Sequence, residues 1–509
     1  MHECTESDHR LSLTKIIATL GPASSDKASL RRLLEHGVSV VRFNFSHGSF
    51  EEHAARLTLV RRLEKELGRP IAVLGDLPGP KIRITHVEGG GIELVKGQDF
   101  IIRCEQSAAI PGAVPVFGCT YERIVEEVAP GHRVLINDGA VRGLVVEQSD
   151  DEIRCRVTVG GLVTTGKGVN LPESEISAPA LMDRDWAAVD WSVEHELDFL
   201  AMSFVRRAEE IHRLKERLVE QCRDGACGVS WSGEAAGRIP VIAKIEKRQA
   251  VENIEGILDE ADGIMVARGD LGVEMDLALV PVTQKMLIVR AQAHGKPCIV
   301  ATQMLESMIE HASPTRAEVS DVANAIYDAA DAVMLSGETA VGKHAALAVD
   351  MMRRIAHATE ARLGELTRDR IKPPAPGERS SPTAALAHGA WEIARDLGAA
   401  LVACWSEHGE TARLLSRMGF RIPVIAFSSD ERAVRRMALL YAVIPVLLPS
   451  PPEHRSDFAR LVDRFVAERG LAGVGDTVVV VSGKPLGKPG TSNSVTVQRI
   501  GATFVSAHG

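Results

Sequence analysis

No C-x-x-C pair occurs among the eight cysteines, which are scattered along 509 residues, so neither a zinc site nor a disulfide framework is indicated. No apolar run approaches the length needed to cross a bilayer. The N-terminus, MHECTESDHRLSL, is polar and mixed in charge, which does not fit a signal peptide. Long basic runs are missing too, and a net charge of −9 gives no hint of nucleic-acid binding. There is no low-complexity tract and no early G-x-G-x-x-G, the mark of a dinucleotide crevice. These absences leave a protein expected in a reducing, soluble compartment, the cytoplasm, without a membrane or nucleic-acid partner.

What is present is a rhythm. Hydrophobic content of 45% and charged content of 25% are ordinary for a globular protein, and the length predicts several domains. Short apolar strands are expected at 14–21, 38–46 and 71–77, and again at 198–204, 240–246, 263–270, 298–304 and 332–338. Helical segments follow, at 24–36, 49–67, 207–220, 249–261, 279–294, 315–330 and 345–363. Eight βα units are what closes a (β/α)8 TIM-type barrel, which is favoured over a doubly wound open sheet. The barrel is expected from 11–83 and 176–363. Between its third and fourth units, residues 84–175 read as short alternating strands, a small β-barrel inserted at the catalytic end and placed to act as a lid. Residues 364–381, rich in Pro and charge, read as a linker, and 382–509 as a C-terminal open-sheet α/β domain.

In a barrel the working residues lie at the C-terminal ends of strands. Those ends carry Arg42, Asn44, Ser46 and His47, then Asp76, Lys81 and Arg83, then Ser203, Phe204 and Arg206. Lys244 and Glu246 follow, then Arg268, Gly269 and Asp270, Thr302 and Gln303, and Ser336 and Glu338. A single Lys-x-Glu is more often a solvated strand end. Loading almost every strand end this way is not a pattern of solvated turns. Glu246 and Asp270 suit a hard divalent ion, since magnesium commonly keeps one or two protein carboxylates. Lys244 and Arg42 would compensate a phosphate, the Lys as a point charge and the Arg as a fork. Alternation puts Lys244 and Glu246 on one face of their strand.

The segments TKIIATLGPAS, VVRFNFSHG, GPKIR, KGVNLP, AMSFVR, AKIE, IMVARGDLGVE, ATQMLESM and DAVMLSGETA occur in this order over nearly the whole chain. In them the sequence resembles the pyruvate kinase family. The resemblance implies a phosphotransferase of glycolysis that moves the phosphoryl group of phosphoenolpyruvate to ADP with magnesium, giving ATP and pyruvate. It implies that Glu246 and Asp270 hold one Mg2+ and that a second arrives with ADP. The backbone of Arg268 and Gly269 would face the substrate carboxylate beside Thr302. Lys244 and Arg42 would bind the transferring phosphoryl group. Arg83, Lys167 and His47 would meet the nucleotide, and Thr302, Ser336 and Glu338 would form a water-linked proton relay. The family further implies a homotetramer. The competing readings are another barrel enzyme using magnesium-enolate chemistry on phosphoenolpyruvate or pyruvate, and a non-catalytic descendant of the fold.

Two departures from the family pattern stand out. A monovalent-cation region is matched by Asn44, Ser46 and Asp76, but Leu77 stands where a Thr is expected and Lys81 where a Glu is expected. Lys81 is expected to substitute for K+, so that potassium is not required. In the last domain, the loop after the first strand keeps Gly409 and Thr411, but Glu407 and Glu410 replace basic residues of members activated by fructose 1,6-bisphosphate. Two carboxylates repel a bisphosphate, with Lys484 and Lys488 as a partial offset, so weak or no activation is expected.

Overall fold

In the computed structural model, residues 12–104, 106–222, 238–366, 382–487 and 492–501 are described. Eight parallel strands close a barrel. They are β1 (Lys15–Thr19), β2 (Val38–Asn44), β3 (Ala72–Leu77), β4 (Phe199–Met202), β5 (Val241–Ile245), β6 (Gly263–Ala267), β7 (Cys298–Ala301) and β8 (Ala332–Leu335). Each pairs with its chain neighbours, and β8 closes on β1 through Lys15↔Ala332 to Ala18↔Leu335. The strands read as near-continuous apolar runs because both faces are covered. Ile17, Val40, Leu74, Ala201, Ile242, Met265, Ile299 and Met334 fill the interior. The alternate residues Ile16, Val41, Val73, Leu200, Val241, Ile264, Val300 and Val333 pack outward under the helices.

The helical ring departs from expectation in detail. The first helix starts at Lys27, because Asp26, not Ser24, accepts from the free N–H groups of Ala28 and Ser29. The expected helix at 249–261 is two, Arg248–Glu252 and Ile254–Glu260, meeting at Asn253. The third crossover helix, Asp183–Glu194, comes only after the insertion.

The insertion is a six-stranded sheet with a two-stranded ladder beside it. Phe100, Phe117, Val134, Val141, Ile153 and Val157 form its own core. Gly118 lies so close to the Gln106 carbonyl that no Cβ could be accommodated there. The C-terminal sheet holds β9 (Leu401–Trp405), β10 (Val424–Ser428), β11 (Val443–Leu447), β12 (Thr477–Gly483) and β13 (Ser492–Arg499), ordered β11-β10-β9-β12-β13. The antiparallel edge strand β13 was not expected, although its Val495 and Val497 alternate with polar residues. Most of the expected linker and Lys488 lie outside the described residues. Among the described residues no helix is long and apolar enough to cross a membrane.

Candidate active site

The polar layer at the top of the barrel is a direct continuation of the apolar fill. Moving two residues along a strand keeps the same face. From the interior residues Ile17, Val40, Leu74, Ala201 and Ile242, that step reaches Thr19, Arg42, Asp76, Ser203 and Lys244. These five side chains bond to one another. Arg42 Nε donates to Asp76 Oδ2 (2.7 Å) and its Nη1 to Thr19 Oγ1 (3.0 Å). Lys244 Nζ donates to Ser203 Oγ (2.7 Å) and lies 3.3 Å from Asp76 Oδ1 and 2.8 Å from Glu246 Oε1. Thr19 joins the layer through its contact with Arg42 and was not singled out from the sequence.

Charge states follow from this packing. Burial alone would strip the proton from Lys244, but Asp76 and Glu246 outweigh it and raise its pKa above the ordinary lysine value. Burial would likewise favour a neutral Asp76, but Lys244 and Arg42 hold it below the usual carboxylate range. Glu246 goes the other way. Burial raises its pKa, the nearby Asp270 carboxylate adds to the rise, and Lys244 opposes it. Its Oε2 accepts the Phe204 N–H (2.7 Å), from a residue in the left-handed region at φ 54°. Two like charges facing each other are a poor arrangement alone and a fitting one around a cation, so Glu246 and Asp270 fit a divalent ion. Among the described residues no group of three or more His, Cys, Asp or Glu could hold a metal, and a magnesium ion does not need one.

Strand β6 ends at Ala267, short of the expected 270, and the residues after it form a short helix, Arg268–Glu274. Its N-terminal residues lie against the end of β7. Gly269 N donates to Thr302 Oγ1 (2.8 Å), and a Cβ on Gly269 would stand only 3.3 Å from that oxygen. The Arg268 side chain is committed to the turn after β7 and to Asp321. It reaches Asp321 (2.7 Å) and the carbonyls of Thr302 (2.9 Å) and Gln303 (3.2 Å). It therefore pins a turn in which Thr302 (φ 67°) and Gln303 (φ 54°) are both left-handed, a conformation costly for a β-branched residue. Only its backbone is left to face a substrate.

Glu338 is buried and held by two backbone donors, Leu305 N (3.1 Å) and Ser336 N (2.7 Å). Burial raises its pKa against the pull of those amides. Ser336 Oγ is buried with no hydrogen-bond partner among the described residues. Arg83 and Lys167 stand on the paired stalks of the lid rather than on the strand ends. Arg83 pairs with Gly168 as an isolated bridge and donates from Nη1 to the Gly166 carbonyl (2.9 Å), while Ile84 N donates to the Lys167 carbonyl (2.8 Å). His47 is exposed on the rim after β2.

Within the expected cation region, Asp76 is joined to Arg42 and Lys244, and Asn44 Oδ1 accepts the Ser46 N–H (3.1 Å). Leu77 is fully buried. The Lys81 ammonium lies toward the lid, 4.0 Å from Asp138 Oδ1, with its stem against Gly168. In the C-terminal loop, Glu407 Oε2 accepts Trp405 Nε1 (2.8 Å) and Oε1 accepts the Ser429 hydroxyl. Three polar residues beside the site, Lys247, Glu274 and Asn170, were not assigned a role from sequence; Asn170 lay inside KGVNLP and Glu274 closed RGDLGVE.

Comparison with known proteins agrees with this geometry. The pyruvate kinase barrel-domain model matches residues 11–349, and the pyruvate kinase alpha/beta-domain model matches residues 384–498. A pyruvate kinase of Thermotoga maritima is 36% identical over 96% of this chain and 99% of its own length. One from Geobacillus stearothermophilus is 38% identical over 97% of this chain and 82% of its own length. A crystal structure of a pyruvate kinase from Cryptosporidium parvum superposes with a TM-score of 0.88 at 33% identity, covering 97% of this chain and 98% of that one. The chain belongs to the pyruvate kinase family.

Proposed function

We propose that this pyruvate kinase moves the phosphoryl group of phosphoenolpyruvate to ADP at the C-terminal end of the barrel, in a magnesium-dependent reaction that yields ATP and pyruvate. The observation that carries this reading is the largely covered Lys244 ammonium, kept charged by Asp76 and Glu246 beside Arg42. Phosphoryl transfer needs positioning and charge neutralisation more than covalent chemistry. Lys244 supplies a point charge and Arg42, oriented by Asp76, a planar fork for the phosphoryl oxygens. Glu246 and Asp270 would hold a magnesium ion, whose contribution when bound is to neutralise and orient substrate oxygens; a second would come with ADP. The amides of Arg268 and Gly269, with Thr302, take the substrate carboxylate. Arg83, Lys167 and His47 serve the nucleotide from the stalks and rim.

The enolpyruvate that leaves must be protonated at carbon, which needs a proton path. Lys244 is committed to holding charge, so the path runs through Thr302, Ser336 and Glu338, of which Ser336 has the uncommitted hydroxyl. Self-association is supported by Leu277, Val282 and Val289, exposed at 70%, 65% and 61%; a cytoplasmic homotetramer is the assembly we propose. ATP formation from phosphoenolpyruvate and ADP, measured with magnesium and again with a chelator, tests the reading. No ATP would leave another enolate enzyme or a non-catalytic descendant instead, and ATP formed equally well in chelator would overturn the magnesium requirement.

Potassium independence and insensitivity to fructose 1,6-bisphosphate are part of the proposal. Leu77 supplies no oxygen ligand, and Lys81, whose ammonium lies toward the lid 4.0 Å from Asp138, adds a positive charge on that side of the site. In the C-terminal loop, Glu407 is anchored by Trp405 and Ser429, so its charge stays where an anion would have to enter. A cation and effector matrix on the purified enzyme checks both. Activity is expected to persist when potassium is replaced by a large organic cation at constant ionic strength. The half-saturating phosphoenolpyruvate concentration is expected not to move on adding the bisphosphate. Collapse of activity without potassium, or a several-fold fall in half-saturation, would each count against the corresponding assignment.

A further inference from the structure

The helix that carries Asp270 carries a second carboxylate one turn later. Glu274 is 3% exposed. Its Oε1 accepts Lys247 Nζ (2.5 Å) and Asn170 Nδ2 (2.9 Å). Lys247 directly follows Glu246, and its ammonium lies 5.8 Å from the ring centre of Phe204, whose amide holds Glu246. Asn170, also buried, ends the lid strand Val169–Asn170, three residues beyond Lys167. One carboxylate oxygen therefore joins three segments: the one behind Glu246, the helix of Asp270 and the returning stalk of the lid. A buried acid is costly unless its charge and lone pairs are met; Lys247 meets the charge from the barrel and Asn170 adds a donor from the lid, so the junction is most favourable with the lid seated. The contact of Lys81 with Asp138 on the lid is longer and more exposed, which makes Glu274 the tighter of the two.

We propose that Glu274 is a positioning residue that seats the lid, and with it Lys167, over Glu246 and Asp270, so that the ADP subsite is complete only when Asn170 is bonded. The proposal rests on the reading above, in which Lys167 meets the nucleotide and the two carboxylates hold the metal. A residue that only stabilised the barrel would lower stability without favouring one substrate. A lid seat instead acts on the substrate that the lid helps to hold.

The variants are N170A, which removes the donor from the lid and spares the Lys247–Glu274 pair, E274Q, which keeps an oxygen for Asn170 and gives up the charge, and the double variant. N170A is expected to raise KM for ADP about tenfold, the effect of one hydrogen bond to a charged group, with kcat and KM for phosphoenolpyruvate within about twofold of wild type. E274Q is expected to raise KM for ADP about threefold, by weakening the same seat. Because the two residues share one contact, the double variant is expected to go no further than N170A. An active wild type with unchanged KM for ADP in both single variants, or single effects that multiply in the double variant, overturns the seat alone. A wild type that forms no ATP overturns the underlying reading, and the seat with it.

Discussion

Replacing Lys244 with methionine is expected to lower kcat about a thousandfold. Loss of a preorganised charge or donor at a reacting group costs on the order of 10²–10³ in rate, and here the charge is also the hub of the polar layer. Its ammonium contacts Ser203, Asp76 and Glu246 at once. Without it, Glu246, already pushed up by burial and by Asp270, loses its compensating charge, which compounds the defect. Lys244→Arg is not expected to rescue the rate, because a planar guanidinium cannot reproduce a compact point charge among these three acceptors. The pH profile provides a second check. A lysine whose pKa is raised stays charged through all lower pH, so no alkaline fall in kcat from Lys244 is expected below its ordinary value of 10.5. Steady-state kinetics of both variants, with circular dichroism to show a retained fold, measures the effect. Asp270→Ala is expected to lose turnover as well, through the metal pair rather than the phosphoryl charge.

Why so much of this site was legible from sequence comes down to period two. The barrel strands are buried on both faces, so their apolar runs are long and unambiguous. A polar residue on the inward face can then occur only where the fill ends. Arg42, Asp76, Ser203 and Lys244 each stand two residues beyond an interior apolar side chain, and that break in pattern is visible without coordinates. What was not legible depends on contacts between distant segments. The Arg268 side chain stands at a strand end with no partner visible in sequence, yet Asp321 and two carbonyls of the turn after β7 claim its guanidinium. Glu338 is expected in a proton relay, and the two amides that fix it are not visible in sequence. Glu274 shows no role in sequence because its partner Asn170 lies 104 residues earlier. The orientation of Lys81 toward Asp138 likewise depends on where the lid rests. The split at Asn253 and the Asp26 cap are local, but both turn on which side chain wins a backbone donor, and spacing alone does not decide that.

The other end of the barrel gives the second large effect. Asp198, Asp262 and Asp331 each stand immediately before an even strand, β4, β6 and β8. Each accepts an N–H at the start of the odd strand before it, from Val73 (2.8 Å), the second residue of β3, and from Val241 (2.9 Å) and Cys298 (2.8 Å), the first residues of β5 and β7. Each is also met by arginine: Asp262 by Arg238 (2.7 Å), Asp331 by Arg417 (2.7 Å) and Asp198 by Arg61 (2.8 Å) and Arg435 (2.9 Å). Arg417 and Arg435 come from the C-terminal domain, so two of the three carboxylates that hold strand ends, Asp331 and Asp198, also dock that domain. Asp198→Ala is expected to cost about 3–5 kcal/mol, the range for breaking a buried pair and stranding its partner. Asp198 and Arg435 have side chains only 1% and 10% exposed, so water cannot take the place of the lost carboxylate. Urea unfolding of wild type and variant measures the difference, and Asp198→Ala/Arg435→Met is expected to recover part of it, because the second change removes the stranded charge. The sign of the pH dependence is fixed by the same contacts. Burial would raise the Asp198 pKa, but Arg61 and Arg435 outweigh it and hold it below 3.8. Its contribution is therefore complete above the unfolded value of about 3.9 and is lost as pH falls through the lower folded value. The stability gap between wild type and Asp198→Ala should stay constant from neutral pH down to about pH 5 and close only in stronger acid. A gap that closed near neutral pH would mean that the carboxylate is not held ionised by these arginines.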